Sequence, residues 1–300
     1  MKNQKTGILL ETGTNEIEIM EFTINNETFG INVAKVREIM IPEAIKPMPK
    51  SHPAVEGVFK PREDLITVIN LPKYLDLEND DAERSLFIIT NFNNMHIAFR
   101  VHSVEGIHRI SWTNIQKPDK TIYNGADGIA TGIAECMGRL ITILDFEKIV
   151  ADISPETSIQ ISDIDKMGGR VQNDHLIMIA EDSKLLTMLI KQCLNKAGYV
   201  NIIAHDNGQE LWDHLNEMKK TGESKSISCI ITDIEMPQMD GHRLTKLIKT
   251  DPQLQQIPIV IFSSLISEEM RIKGKQLGAD EQISKPEIAK LVTILDRFVK

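Results

Sequence analysis

The sequence predicts a multidomain chain: an all-β unit in the first half and an α/β unit with a parallel sheet in the second. Three observations carry this. Up to residue 150 the apolar residues fall in short alternating runs separated by Asn, Gly and Pro. After Asp174 continuous apolar runs alternate with stretches whose apolar residues recur every three or four positions. Between them, residues 151–173 are polar, hold Pro155 and Gly168-Gly169, lack a sustained period and read as a linker. A length of 300 residues suits two domains.

In the first half, residues 1–16 read as a polar arm. EIEIMEFTI (16–24) and TFGINV (28–33) alternate around Asn25-Asn26 and predict a hairpin. VREIM (36–40) fits helix or strand. Pro42, Pro47, Pro49 and Pro53 then break any long element. VEGVF (55–59) and LITVINL (65–71) read as strands. SLFIITNF (85–92) and MHIAFRVHSVEGIHRI (95–110) predict a second hairpin around Asn93-Asn94. GIATGIAEC (128–136) and RLITILDFEKIV (139–150) predict a third around Met137-Gly138, with a helix possible from Phe146. Many short, closely spaced strands indicate a barrel or sandwich.

In the second half, LIMIA (176–180) is the continuous apolar run of a strand buried on both faces. The helix after it carries Leu186, Leu189, Ile190, Cys193, Leu194 and Ala197 on one face and stops at Gly198. NIIAH (201–205) with QELWDHLNEM (209–218), SCIITD (228–233) with a helix near 241–250, and PIVIFSS (258–264) with a helix near 268–277 repeat the unit. QIS (282–284) is a fifth strand, and Pro286 opens the last helix. Five β-α units predict a doubly wound parallel sheet with helices on both faces.

Composition excludes several functions. A net charge of −9 opposes nonspecific nucleic-acid binding, which needs a basic face. The three cysteines are scattered and form no disulfide framework or thiolate site, as in a reducing compartment. No apolar run is long enough for a signal core or a membrane span, so the expectation is a cytoplasmic chain without membrane insertion. His96, His102 and His108 recur every six residues, which strand alternation would put on one face. No carboxylate or cysteine stands at metal spacing beside them, and they read as surface or partly buried residues. His242 reads as a solvated loop residue, and Trp112 and Trp212 as packing residues.

The chemistry gathers at strand ends. In a doubly wound sheet functional groups collect at the carboxyl ends of the strands. Those ends carry Glu181-Asp182, Asp233, Ser263-Ser264 and Lys285-Pro286. Three clustered carboxylates repel unless a hard cation joins them, and Mg²⁺ suits one or two carboxylates plus water and phosphate oxygens. Lys285 and a hydroxyl opposite would complete a cradle for a phosphoryl group. Asp233 would be the nucleophile, giving an aspartyl-phosphate.

On the acidic pair Glu181-Asp182, Asp233 in D-x-x-M-P-x-M-D-G, Ser263 and the Lys285-Pro286 step, residues 174–300 resemble a two-component response regulator receiver domain, a flavodoxin-like fold. The resemblance implies that the backbone carbonyl of Glu235 joins the metal ligands, and that the donor is a phosphohistidine of a sensor kinase. Two positions depart from the family. Gln282 stands three residues before the lysine, where an aromatic switch residue is common. The Glu235 carboxylate lies next to the phosphosite, where it is expected to alter the phosphoryl lifetime.

The first half has no nucleophile–base pair, phosphate loop or cysteine pair and reads as a binding module. On F-x-I-x-N-E-T-F-G-I-N-V (22–33), K-V-R-E-I (35–39), G-V-F-K-P-R (57–62), I-T-V-I-N-L (66–71), A-T-G-I-A (130–134) and L-I-T-I-L-D (140–145), residues 17–150 resemble a CheW-like coupling domain. That implies paired five-stranded SH3-like barrels holding a chemoreceptor's cytoplasmic tip and a CheA-type histidine kinase. Val36, Glu38 and Arg62 are its candidate receptor-facing residues; as residues of a strand and turn they also read as ordinary barrel positions. Lys60-Pro61-Arg62-Glu63 replaces the family's usual N-L-R-G. A coupling domain followed by a receiver resembles the CheV-type chemotaxis proteins. It implies a cytoplasmic adaptor at receptor arrays, not an enzyme, whose strength Asp233 phosphorylation tunes as adaptation feedback. The alternatives are a phosphate sink draining the kinase and a transcriptional regulator; the second is opposed by a partner half that is neither basic nor helix-turn-helix-like.

Overall fold

The computed structural model describes residues 15–77, 85–93, 95–116, 128–155, 159–168 and 170–299. Residues 1–14 of the expected arm, Asn94 of the expected turn and Gly169 lie outside this range.

The β half contains two sheets. The first joins β1 (Glu16–Ile24), β2 (Glu27–Asn32), β8 (Ser103–Ser111), β9 (Ile115–Gln116), β10 (Ala130–Cys136) and β11 (Arg139–Leu144) in the order β8-β1-β2-β11-β10-β9. The second joins β3 (Val36–Met40), β4 (Val55–Phe59), β5 (Ile66–Asn70), β6 (Leu86–Phe92) and β7 (Met95–Val101) in the order β3-β6-β7-β5-β4. The first hairpin forms because Asn25 and Asn26 accept positive φ angles of 49° and 68°, the conformation a tight two-residue turn needs. β1 serves two cores: Ile17 and Ile19 face one, and Met20, Phe22 and Ile24 face the other. Residues 36–40, open to either reading, form a strand. A short helix, α1 (Leu71–Tyr74), follows β5.

Two of the predicted runs divide in the structure. The run 95–110 splits at His102 into β7 and β8, which belong to different sheets. The three histidines therefore do not share a face. His96 meets Arg37 and Asp64, His102 accepts from the Asn25 N–H, and His108 bonds Glu21. The run 139–150 ends as a strand at Leu144 and resumes as α2 (Phe146–Ile153), capped by Asp145, whose side chain accepts from the Lys148 N–H. Phe146 anchors α2 in the core, its ring edge-to-face with Phe99 at 4.7 Å. That fixes the direction in which the next residue, Glu147, points.

In the connecting segment, Ile159 and Ile164 are buried in the core of the α/β half, the latter on the single turn α3 (Ser162–Asp165). The α/β sheet consists of β12 (Leu176–Ala180), β13 (Ile202–His205), β14 (Ile227–Thr232), β15 (Ile259–Ser263) and β16 (Glu281–Ser284). All are parallel, in the order β13-β12-β14-β15-β16. Helices α4 (Lys184–Lys196), α5 (Gly208–Thr221), α6 (Gly241–Thr250), α7 (Glu268–Leu277) and α8 (Ile288–Phe298) cover both faces. Ile177, Ile179 and Val260 pack towards α4 and α8, while Met178, Ile230 and Ile259 pack towards α5 and α6. Such two-sided burial is the reason these strands read as unbroken apolar runs. Ser183, Asn207, Asp240 and Ser267 cap α4 to α7 with side-chain oxygens. Pro286 does not itself open α8, which begins at Ile288 after Glu287. Among the described residues no helix is long and apolar enough to cross a membrane.

Candidate functional site

The strand order reverses beside β12, so the carboxyl ends of β12 and β14 open onto a shared crevice. Glu181 and Asp182 follow β12 and Asp233 follows β14. The Asp233 N–H donates to Ala180 O at 2.9 Å, which ties the two strand ends together. One carboxylate oxygen each from Glu181, Asp182 and Asp233 lies within 4.8 Å of the others. Asp233 is 5% exposed. Its Oδ1 accepts from the Ile234 N–H at 2.6 Å and its Oδ2 from Lys285 Nζ at 2.8 Å.

Lys285 also reaches Glu181 at 3.1 Å. Burial alone would pull its ammonium down, but Asp233, Glu181 and Glu147 outweigh that and hold it well above the ordinary lysine value. Burial pushes Glu181 well above the usual carboxylate range; Lys285 opposes this, and Asp233 and Asp182 add to it. The acidic pocket therefore has more anion than Lys285 alone balances. A hard divalent cation relieves that excess, so the donor set fits Mg²⁺. Ser263 is fully buried at the end of β15, where its Oγ accepts from the Leu265 N–H and its carbonyl from the Lys285 N–H. Gly241 stands directly behind the site, because a Cβ there would meet the Asp233 carbonyl oxygen at 1.8 Å.

Of the expected rim residues, Glu181, Asp182, Asp233 and Lys285 are gathered at one point, with Ser263 at the neighbouring strand end. The Glu235 side chain turns away to the β half, where Asn32 Nδ2 donates to it at 2.6 Å and Lys35 Nζ pairs with it at 2.7 Å. Gln282 is tied to α7: its Nε2 donates to Arg271 O at 2.8 Å, and its amide covers the Gly274 Cα. His242 is not solvated. It lies buried on the inner face of α6, where burial and Lys273 hold it down at about 3. Trp112 is buried and Trp212 packs on the core of the α/β half, as expected of packing residues. In the β half, Arg62 pairs with Glu38 at 3.2 Å on an exposed face, while Val36 packs partly against the core.

The sequence did not mark a second layer of the site. Lys35, buried in a 3-10 turn after β2, pairs with both Glu147 (2.9 Å) and Glu235 (2.7 Å). Glu147 accepts a hydrogen bond from Ser264 and lies 3.8 Å from Lys285. Burial would raise Glu147, but Lys35 and Lys285 overcome it and lower the carboxyl to about 2. Nearby, Asn93 N–H donates to Ser264 O and Gln238 N–H to Trp112 O. A cavity of about 220 Å³ remains between the halves, lined by Asn32, Lys35, Glu147, Asp182 and Asp233 among others. That leaves room for a hydrated cation and phosphoryl oxygens.

Comparison with known proteins agrees with this geometry. Residues 18–154 match the CheW-like domain and residues 177–296 the response regulator receiver domain. The chemotaxis protein CheV3 of Helicobacter pylori is 29% identical over 300 aligned residues, covering 95% of this chain and 95% of that protein. CheV2 of the same organism is 27% identical, covering 94% and 95%. The chemotaxis protein CheW of Thermotoga maritima is 29% identical over 139 residues, 46% of this chain and 91% of that one.

Proposed function

The chain belongs to the CheV-type chemotaxis coupling adaptors, a CheW-like domain followed by a receiver rather than a catalytic enzyme, and from this we propose that Asp233 phosphorylation tunes its coupling strength. Residues 17–150 form the coupling domain, 151–173 the connection and 174–300 the receiver. The coupling domain bridges chemoreceptor cytoplasmic tips and a CheA-type histidine kinase, in the cytoplasm at receptor arrays. Val36, Glu38 and Arg62 belong to the receptor-facing surface, and the exposed Glu38–Arg62 pair is available there.

The observation that carries the reading is the 2.8 Å contact of Lys285 with Asp233 inside the three-carboxylate pocket. Glu181, Asp182, Asp233 and the Glu235 carbonyl would hold Mg²⁺, which when bound neutralises charge on the phosphoryl oxygens. An Asp233 carboxylate oxygen attacks phosphorus. The phosphorus–nitrogen bond of the kinase phosphohistidine breaks, its electron pair stays on the imidazole, and that nitrogen takes a proton from solvent. Lys285 and Ser263 donate to the transferring oxygens. The product adds charge, to roughly −1.5 to −2 in total, at a site that touches the coupling domain. Adaptation feedback follows if that charge changes coupling.

The test is kinase activation in reconstituted arrays in which this chain supplies the only receiver. Asp233→Asn is expected to fix activation at one level while wild type adjusts. Equal behaviour of the two would reject tuning and favour the sink, in which the receiver only drains phosphoryl groups.

A further inference from the structure

We infer that Glu147 and Lys35 of the coupling domain form a latch over the receiver's phosphoryl site, and that a phosphoryl group on Asp233 opens it. The inference rests on the acceptor reading of Asp233 and adds what that reading lacks, a route by which the reaction reaches the other domain.

The latch is a chain of charged contacts across the two domains. Glu147 accepts from Ser264 and approaches Lys285, the lysine bonded to Asp233. Lys35 joins Glu147 to Glu235, two residues beyond Asp233, and Asn32 bonds the same Glu235. These side chains are nearly dry: Lys35 is 8%, Glu147 16% and Glu235 13% exposed. Buried charges of this kind hold only while each has its partner, and losing one leaves the other costly. Among the described residues the acidic groups facing the cluster include Asp145, Glu147, Glu181, Asp182, Asp233 and Glu235, and the basic ones Lys35 and Lys285, with Lys148 and Lys184 also lining the cavity.

Glu147 lies 3.8 Å from Lys285, which an incoming phosphoryl group needs, and takes the hydroxyl of Ser264, the residue next to Ser263. Two anions then compete for the one lysine. Phosphorylation therefore removes Glu147 from Lys285 and adds like charge beside it and beside Glu235. Leaving the interface restores water to Glu147 and Lys35. The same occlusion works in reverse: with Asp233 covered, a phosphoryl donor reaches it only when the latch is open. Linkage requires that opening favour phosphorylation by the factor by which phosphorylation favours opening.

The full-length chain provides the test, with acetyl phosphate and Mg²⁺ as donor. Here the bond formed is Asp233 oxygen to phosphorus, and acetate leaves with the electrons of the broken phosphorus–oxygen bond. Intact mass reports phosphoryl uptake. Hydrogen exchange of residues 33–36 and 146–150 reports the latch, and small-angle scattering reports domain separation. Wild type is expected to lose protection on phosphorylation, by about tenfold in exchange rate, a typical coupling. Glu147→Gln and Lys35→Met are expected to show the open pattern without donor, and to take up phosphoryl about tenfold faster. Asp233→Asn is expected to stay closed with donor present. Uptake with unchanged or increased protection overturns the latch and leaves the acceptor reading intact. No uptake by wild type or Glu147→Gln overturns the acceptor reading and the latch with it.

Discussion

Gly241 is the position where one added methyl group most directly disturbs Asp233. It begins α6 behind the end of β14, and its N–H donates to Ile234 O at 3.0 Å, so helix and strand end are held together. A Cβ at 241 would lie 1.8 Å from the Asp233 carbonyl oxygen, 2.8 Å from its carbon and 2.9 Å from Thr232 Oγ1. Ordinary contact starts at 3.4 Å, so backbone must move by 3.4 − 1.8 = 1.6 Å. Neither side yields easily: α6 is pinned by buried Leu244 and Ile248, and β14 lies in mid-sheet. Overpacking of this kind costs ~1–3 kcal/mol, which lowers the melting midpoint of such a domain by roughly 5–10 °C. Misplacing a reacting group by ~1 Å costs about a hundredfold in rate. Gly241→Ala is therefore expected to melt earlier and to take phosphoryl from acetyl phosphate about a hundredfold more slowly. Gly106→Ala, where a Cβ meets nothing within 4 Å, is the control and should change neither. Uptake and melting of Gly241→Ala equal to wild type would refute the claim that this close approach sets the acceptor's position.

Three further outcomes are expected. Asn207 caps α5 by accepting from the Glu210 N–H and donating to the Glu210 carboxylate, both at 2.9 Å, so Asn207→Ala should cost about 1 kcal/mol or more in urea unfolding. Arg62→Glu should weaken binding to receptor-tip fragments severalfold, while stability stays within ~0.5 kcal/mol because the pair it breaks is exposed. His242 is held at about 3 against 6.5 when unfolded, so the stability from its neutral burial is complete above pH 6.5 and is lost as pH falls towards 3. Between pH 7 and 5 that is about 2 kcal/mol of stability lost, and His242→Leu should flatten this part of a stability–pH curve.

The receiver half was legible because its strands are buried on both faces and its chemistry sits at strand ends, positions that a run such as LIMIA or SCIITD marks directly. The split at His102 was not. Both flanks have strand character, no Gly or Pro stands at the break, and only pairing to different sheets separates β7 from β8. His242 was misread because a polar residue next to a turn-rich loop looks exposed, whereas position 242 faces inward on α6. Glu147 had no local signal, and Lys35, though it opens the K-V-R-E-I run, none for this role. Each is an ordinary charged residue beside an apolar one; they pair with each other across 112 residues, and their remaining partners lie in the other domain, up to 200 residues along the chain from Lys35 to Glu235.

The departures at Gln282 and Glu235 make sense together under the latch. Gln282 is bonded to the Arg271 carbonyl and seated on Gly274, and Arg271 returns a bond to its carbonyl, so β16 and α7 are stitched face to face. A residue held so has no free swing to report what happens at Asp233. Glu235, by contrast, uses its carboxylate wholly on Asn32 and Lys35. Under the latch, Glu235 would act on the phosphoryl lifetime chiefly by keeping the coupling domain seated. Replacing it with Asn would shorten that lifetime in the full chain by opening the latch, and would act far less where Lys35 is already Met. The signal then needs no relay across the receiver. The surface that leaves on phosphorylation is the surface in contact with the reaction.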